Sequence, residues 1–297
     1  MVVTFPRLNP IIFKKDKVSF FEDYLIPFYQ KWNMKDYIVF QVTYDKDFTS
    51  GDIIASLINE KGEGVSDCLN DIIDTGSLYQ SIFRVCCDVP IGFYRIKLTT
   101  KNSLFTFYSN YFEIGKHENT MLIEYSCDDN KFDCVFKTTD YMYRFYLRID
   151  GGIKSGDISY NADDVFYSSA DRTIYLIDSI PYTVRKYTFG DSLGLPVWLA
   201  DKINRVLACD SIMIDNIVVV KNDGAKLEAM TSDAYPYVGL KVELLYQEEG
   251  NSELLYEKQE LMQSGLSVEM VDKVNSFSIS APKTGRIHVE QFEKTFN

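Results

Sequence analysis

The chain has 297 residues, of which 46% are apolar and 25% charged, the proportions of an ordinary globular protein with room for two or three domains. Its net charge is -12 and it contains no basic run, which argues against a protein that grips nucleic acid through phosphate contacts. The 21 tyrosines and 20 phenylalanines favour β structure, because aromatic side chains suit half-buried pleated surfaces.

The N-terminal sequence Met-Val-Val-Thr-Phe-Pro-Arg lacks the charged leader and apolar stretch of a signal peptide. No apolar run approaches the length of a membrane span. The sequence therefore predicts a protein that stays in a cytoplasm or is released by lysis, with no membrane partner. Cys127 and Cys134 are close enough in sequence to meet across a hairpin, but reduced core thiols are the expected state in a cytoplasm.

Residues 1–35 do not resemble a domain, since three prolines interrupt a segment rich in apolar side chains. Two interpretations remain open: a packed lead-in to the first domain, or an arm exchanged between subunits. Under the second interpretation we expect the large apolar residues of this segment to contact a neighbouring subunit. These candidate interface residues are Phe20, Phe21, Tyr24, Phe28, Tyr29 and Trp32.

Residues 36–116 predict an immunoglobulin-like β-sandwich. Large apolar residues recur at every second position from Ile38 to Tyr44 and again from Tyr94 to Leu98, as in strands with one buried face. Turn signals separate these short strands. Tyr94 follows a Pro-x-Gly-x pattern and stands where such sandwiches often place a corner tyrosine.

Residues 117–226 predict a second β domain, and residues 227–297 a further β region that forms a third domain or completes the second. A polar stretch, residues 128–131, is typical of a hairpin loop between two apolar runs. The absence of a Ser/Gly-rich linker predicts domains packed in a fixed geometry. The fold class expected is thus mainly β, with tandem sandwich domains.

One short α-helix is predicted at about residues 196–208. Pro196 suits a first helical position, and an apolar stripe from Val197 to Leu207 alternates with polar residues that include Asp201 and Lys202. Trp198 is interpreted as a core anchor. A hairpin with a two-residue turn at Asp215-Asn216 is predicted to follow, because both residue types tolerate positive φ.

The sequence contains no recognisable catalytic motif. Its two histidines, His117 and His288, are far apart, which makes a zinc site improbable. The Gly190-x-x-x-Gly194 spacing lacks the Gly-Lys-Ser/Thr ending of a phosphate loop, and no histidine stands near Ser192. No catalytic, cofactor-binding or metal-binding residue is therefore predicted, although an enzyme of an unrecognised type stays open.

Three sequence features carry a resemblance to a known group. They are Gly92-Phe-Tyr-Arg-Ile with Tyr108-Ser-Asn-Tyr-Phe-Glu-Ile; Phe145-Tyr-Leu-Arg-Ile-Asp-Gly; and Gly194-Leu-Pro-Val-Trp-Leu with Ile212-Met-Ile-Asp-Asn-Ile. Their order over roughly residues 36–246 resembles that of structural proteins from the tail or neck region of tailed phages and prophages of gut Bacteroidales, including the crAss-like phages.

The resemblance implies a bacteriophage structural protein with no enzymatic activity, assembled in the host cytoplasm into the virion. It implies a homo-oligomer arranged as a ring in the tail or neck, with neighbouring virion proteins as partners. An acidic surface would let DNA pass nearby without specific binding. The alternative is a carbohydrate- or receptor-binding module of the adhesin or baseplate type, in which surplus tyrosines and Trp32, in a loop-like context, stack on sugars.

Overall fold

The computed structural model describes residues 3–15, 28–46, 52–101, 105–139, 141–168, 171–191, 194–222, 224–232, 235–246, 267–270 and 277–280. These residues form several antiparallel sheets and one short helix, which confirms the mainly β fold class. By its internal contacts the chain divides into two compact units, Met1–Gln247 and Glu248–Asn297. In the second unit the described residues form a hairpin.

The first β domain is a two-sheet sandwich. Its strands are β1 (Val3–Thr4), β2 (Phe13–Lys15), β3 (Gln30–Asn33), β4 (Tyr37–Asp45), β5 (Ile53–Asn59), β6 (Gly64–Asp67), β7 (Leu69–Asp74), β8 (Leu78–Cys86), β9 (Gly92–Thr100), β10 (Thr106–Ser109) and β11 (Phe112–Gly115). One sheet has the order β1-β4-β8-β7. In the other, β9 pairs with β5 on one side and with β10 and β11 on the other.

The sandwich core follows from the alternating sequence. Phe40 lies between Phe13 and Phe83, with ring centroids 5.1 and 5.2 Å apart. The Tyr94 hydroxyl donates to the carbonyl oxygen of Pro90 at 2.6 Å, which is the hydrogen bond of a tyrosine corner and confirms the prediction for this residue. The described part of the N-terminal segment belongs to these sheets, since β3 pairs in parallel with β11.

The second β domain contains β12 (Thr120–Ser126), β13 (Phe145–Gly152), a 3₁₀ turn (Ser155–Asp157), β14 (Ile158–Ser168), β15 (Ile174–Phe189), α1 (Val197–Val206), β16 (Ser211–Ile214), β17 (Ile217–Lys221), β18 (Glu228–Ser232) and β19 (Tyr235–Tyr246). Its sheet closes on itself, because β15 pairs with both β13 and β19. The closed ring runs β13-β12-β16-β17-β19-β15. Residues 228–246 therefore complete this domain, and β20 (Ser267–Met270) with β21 (Phe277–Ser280) forms the hairpin of the second unit.

Helix α1 begins one residue later than predicted, with Pro196 as its N-cap. The predicted hairpin after it is confirmed, since Asp215 and Asn216 have φ angles of 50° and 66°. The orientation of the helix differs from the prediction: Val197 is 55% exposed, whereas Lys202 is buried. The ammonium group of Lys202 donates to the carbonyl oxygen of Asn9, a partner far away in sequence that periodicity cannot reveal.

The hairpin predicted around residues 128–131 is wrong. Strand β12 pairs with β13 on one side and β16 on the other, so both of its edges are already occupied. Residues 127–139 form an irregular segment in which Phe132 and Asp133 have positive φ angles. The Asn130 side chain stabilises this segment, because its Oδ1 accepts hydrogen bonds from the backbone of Phe136 at 2.8 Å and Lys137 at 3.0 Å.

A buried polar network joins the two β domains. The side chain of Asn9 exchanges two hydrogen bonds with the backbone of Gln41, at 2.7 and 2.8 Å. The Gln41 side chain in turn bonds the backbone of Val135, and Gln80 donates to Gln41 Oε1 at 2.8 Å. Buried amides are costly unless they are paired, so this network stabilises one relative position of the domains.

Two ion pairs strengthen the same junction. The Arg148 guanidinium makes a bidentate contact with Asp36, at 2.6 and 3.0 Å, and both side chains are buried. Lys31 of β3 contacts Asp150 of β13 at 2.7 Å. A bidentate arginine–carboxylate pair constrains orientation as well as distance, which agrees with the fixed packing expected from a chain without a flexible linker.

Lys202 lies in this junction without a carboxylate partner among the described residues. Its ammonium nitrogen is 5.3 Å from the centroid of the Trp198 ring. Burial lowers the pKa of Lys202 to about 7, because it removes the water that stabilises the charged form. The folded state therefore holds this amine partly neutral at physiological pH.

Gly151 should be essential for closure of the second-domain sheet. Its φ is 145°, and a Cβ atom there would lie 2.1 Å from the carbonyl oxygen of Thr188 on β15. We expect Gly151→Ala to lower the free energy of unfolding by at least about 2 kcal/mol, measured by urea denaturation. Gly152→Ala is the matched control, since a Cβ there meets no described atom within 4 Å; equal effects of the two changes would contradict the assignment.

Lys202 should make stability depend on pH. Its pKa is lower in the folded state than in the unfolded chain, so the unfolded chain binds the extra proton and the free energy of unfolding rises above pH 7. Between pH 7 and 8.5 we expect Lys202→Met to remove a slope of up to ~1.4 kcal/mol per pH unit and to stabilise the protein at pH 7. Urea denaturation across this window measures the slope, with the exposed Lys154→Met as control; equal slopes in wild type and Lys202→Met would refute the assignment.

Candidate interaction site

A long β-hairpin extends from the closed sheet of the second domain. Strands β14 and β15 pair from Ile158↔Arg185 to Ser168↔Ile174, with a bulge at Val165/Phe166. Strand β15 also pairs with β19, but only from Thr183 onward. The described residues of 158–182, which we call the arm, thus form a two-stranded ribbon whose outer edges pair with no other described strand.

The arm exposes an unusual amount of apolar surface. Nine large apolar side chains are each 53–81% exposed: Tyr160, Val165, Phe166, Tyr167, Ile174, Tyr175, Leu176, Ile177 and Ile180. Each exposes on the order of 100 Å², so together they present on the order of 1,000 Å² of apolar surface. A stable protein interface buries about 800 Å² per partner, so the arm has the area of a complete interface.

Both faces of the arm carry apolar groups. Phe166 is opposite Leu176, and the next pair, Tyr167 opposite Tyr175, points to the other face. An isolated two-stranded ribbon is marginally stable in water. A surface with this composition on a ribbon is therefore a candidate interaction surface.

The sequence predicts a β domain over these residues but does not reveal the arm. Its apolar residues follow the same pattern as a strand buried in a core, and sequence alone does not reveal which strands lack a covering layer. The acidic residues Asp163, Asp164 and Asp178 were the available signal, because charges at this density suit a strand that faces water. In the structure Ser179 Oγ donates to Asp164 Oδ1 at 2.6 Å.

A second surface lies on the outer side of the sandwich and is rich in aromatic rings. Tyr29 and Phe93 have ring centroids 5.0 Å apart, and with Glu60 and Tyr111 they line a cleft of about 270 Å³. The neighbouring Arg95 guanidinium carbon lies 4.3 Å from the ring centroid of Tyr108 and 4.8 Å from that of Tyr111. We call this surface the aromatic face: Tyr29, Glu60, Phe93, Arg95, Lys97, Tyr108 and Tyr111.

Two cationic side chains belong to the aromatic face. Arg95 Nε is buried and makes no hydrogen bond to the described residues. Lys97 is opposite Tyr108 in the β9–β10 register, so its side chain lies on the same side of the sheet. The face combines ring surfaces with two cations, chemistry that suits either an aromatic and acidic protein segment or a sugar.

The predicted interface residues do not share one environment. Phe20, Phe21 and Tyr24 lie outside the described residues. Phe28 is half-buried, and its ring centroid lies 6.0 Å from that of Trp198. Tyr29 is 41% exposed on the aromatic face.

The prediction for Trp32 is wrong. This residue lies in strand β3, not in a loop, and its side chain is 0% exposed in the sandwich core. A side chain enclosed by its own chain presents no surface to a neighbouring subunit or to a sugar. Its even spacing from Gln30, which is also buried, places it on the inward face of the strand.

The cysteines are free, including Cys127 and Cys134. Burial raises the pKa of Cys134 and of Cys68 to about 12. Because the thiolate is the reactive form, such thiols are poor nucleophiles near neutral pH. Among the described residues no group of three or more His, Cys, Asp or Glu side chains is arranged to hold a metal ion.

The chain matches no protein family model, no curated protein and no solved structure. None of the described helical segments combines the length and the apolar character that a membrane span needs.

The arm should open to solvent far more readily than the body in the separated chain. We expect amides of residues 159–168 and 174–182 to exchange at least about 100-fold faster than those of residues 184–189 of the same strand β15, because only the latter pair with β19. Hydrogen–deuterium exchange at low protein concentration measures this difference. Equal protection along β15 would show that the arm is covered within one chain.

Proposed function

We propose that this chain is a non-enzymatic structural subunit of a tailed-phage virion, present in several copies as a ring of the tail or neck. The observation that carries the proposal is the arm, whose apolar area suits an interface with another protein. A subunit in an assembly needs such a surface, whereas a protein that acts alone is harmed by it, since exposed apolar strands promote aggregation.

The domain junction supports the same proposal. The Gln41–Val135 hydrogen bonds and the Arg148–Asp36 ion pair hold the two β domains in one orientation. A ring closes only when every copy presents its contacts at the same angle. Rigid packing of the domains is what such an assembly requires of its subunits.

The charge of the chain is compatible with a position beside passing DNA. The sequence carries 43 acidic and 31 basic residues, and an acidic wall repels the DNA backbone and does not bind it. The resemblance to tail and neck proteins over residues 36–246 points in the same direction. The chain assembles in the host cytoplasm and functions in the virion, next to other virion proteins.

Assembly should depend on the arm. We expect the full chain to form a closed multi-copy particle, and Phe166→Ser/Leu176→Ser to shift it to single chains by at least about 10-fold in dissociation constant, because both side chains lose apolar contact. Sedimentation velocity and negative-stain microscopy measure particle size. The control Val197→Ser/Val220→Ser changes two exposed apolar residues of the body and should assemble normally; a wild-type chain that stays single at every concentration would refute the proposal.

A second candidate function is carbohydrate binding at the aromatic face. The observation in its favour is the cleft between Tyr29, Phe93 and Tyr111, where ring faces and the Glu60 carboxylate lie together, as sugar stacking requires. A glycan array probed with the single-chain form tests this candidate. Binding that disappears in Tyr29→Ser would support it, and an array without signal would contradict it.

A further inference from the structure

We propose that the arm of one copy docks on the aromatic face of the sandwich of a second copy, in a head-to-tail contact. This inference rests on the proposed multi-copy assembly and names its interface. The aromatic face of one copy is the receiving surface, and the arm of a second copy of this chain is the element that occupies it.

Charge distribution favours this pairing. Residues 117–247, which include the arm, carry 20 acidic and 13 basic residues, whereas residues 1–116 carry 14 and 13. The acidic arm therefore meets less repulsion on the sandwich of a neighbour than on its second domain. Within the sandwich, Arg95 and Lys97 lie on the aromatic face beside the Glu60 carboxylate and offer cations to the carboxylates of the arm.

The same charges oppose contact between two arms. Asp163 and Asp164 lie at the middle of β14. A symmetric antiparallel pairing of two β14 edges would place these carboxylates opposite each other, and like charges directly across a ladder are destabilising. A head-to-tail contact avoids this clash and leaves each copy with one arm and one receiving face, so contacts continue from copy to copy until the ring closes.

The receiving face matches the arm in chemistry and in size. The cleft of about 270 Å³ between Tyr29, Phe93 and Tyr111 has space for an aromatic side chain such as Phe166 at the arm's bulge. The Arg95 guanidinium lies over the Tyr108 and Tyr111 rings, where its charge attracts a carboxylate of the arm. Burial of the arm's rings against those of the face adds aromatic contacts.

A complementation experiment tests the contact. The arm variant is Phe166→Ser/Leu176→Ser, and the face variant is Tyr29→Ser/Lys97→Glu, with Lys97→Glu alone as the milder version. Each full-length variant keeps one intact half of the interface. We expect each alone to sediment as a single chain, and the 1:1 mixture to form a two-chain particle that grows no further, since the one productive contact uses the intact arm and the intact face.

Several outcomes would overturn the inference. A face variant that is folded and assembles like wild type would show that the arm binds elsewhere, and the assembly itself would survive. A mixture that stays as single chains would exclude head-to-tail pairing of these two surfaces. Loss of glycan binding in the face variant with normal assembly would assign the face to sugar, and single wild-type chains at every concentration would refute the assembly as well.

Folding of the variants is checked independently. Urea denaturation of both should give midpoints close to the wild type, since Phe166, Leu176 and Tyr29 are exposed in the single chain. Bismaleimide cross-linking of Phe166→Cys copies mixed with Tyr29→Cys copies gives a second readout. A cross-linked dimer in the mixture supports the inference, whereas one formed by Phe166→Cys copies alone would indicate arm-to-arm pairing and refute it.

Discussion

The buried polar junction between the two β domains is the constraint on which the rest of the first unit depends. The Gln41 side chain exchanges hydrogen bonds with the backbone of Val135 across the junction, and the Arg148 charge is neutralised by Asp36. Each of these groups would be costly in an apolar interior if the domains moved apart only slightly. The junction therefore permits one arrangement, and the directions in which the arm and the aromatic face point are set by it.

Closure of the second-domain sheet is the other condition for that arrangement. Strand β15 pairs with both β13 and β19. It pairs with β13 where Gly151, which has no side chain, leaves room for the Thr188 carbonyl. The same strand continues outward as half of the arm. Because one strand serves in both the ring and the ribbon, the base of the arm is anchored in the closed sheet, whereas residues 158–182 pair with no described strand outside the arm.

The sequence predicts what is local in this fold and misses what depends on distant partners. Tyr94 and the Asp215-Asn216 turn are predicted because their conformations depend on a few neighbouring residues. Lys202 and Trp32 are not, since their burial depends on Asn9 and on the pairing of β3 with β11. The arm is missed for the converse reason: its apolar residues follow the pattern of a buried strand, and only its aspartates indicate that it faces water.

Strand β15 also determines how the protein responds to mechanical tension. A pull along the arm reaches the closed sheet through Thr183 to Phe189. The backbone hydrogen bonds from these residues to β19 lie across the direction of the force. These bonds bear it together in shear and do not open one after another. A chain built in this way can transmit tension on the arm into its closed sheet without unravelling at the base of the arm.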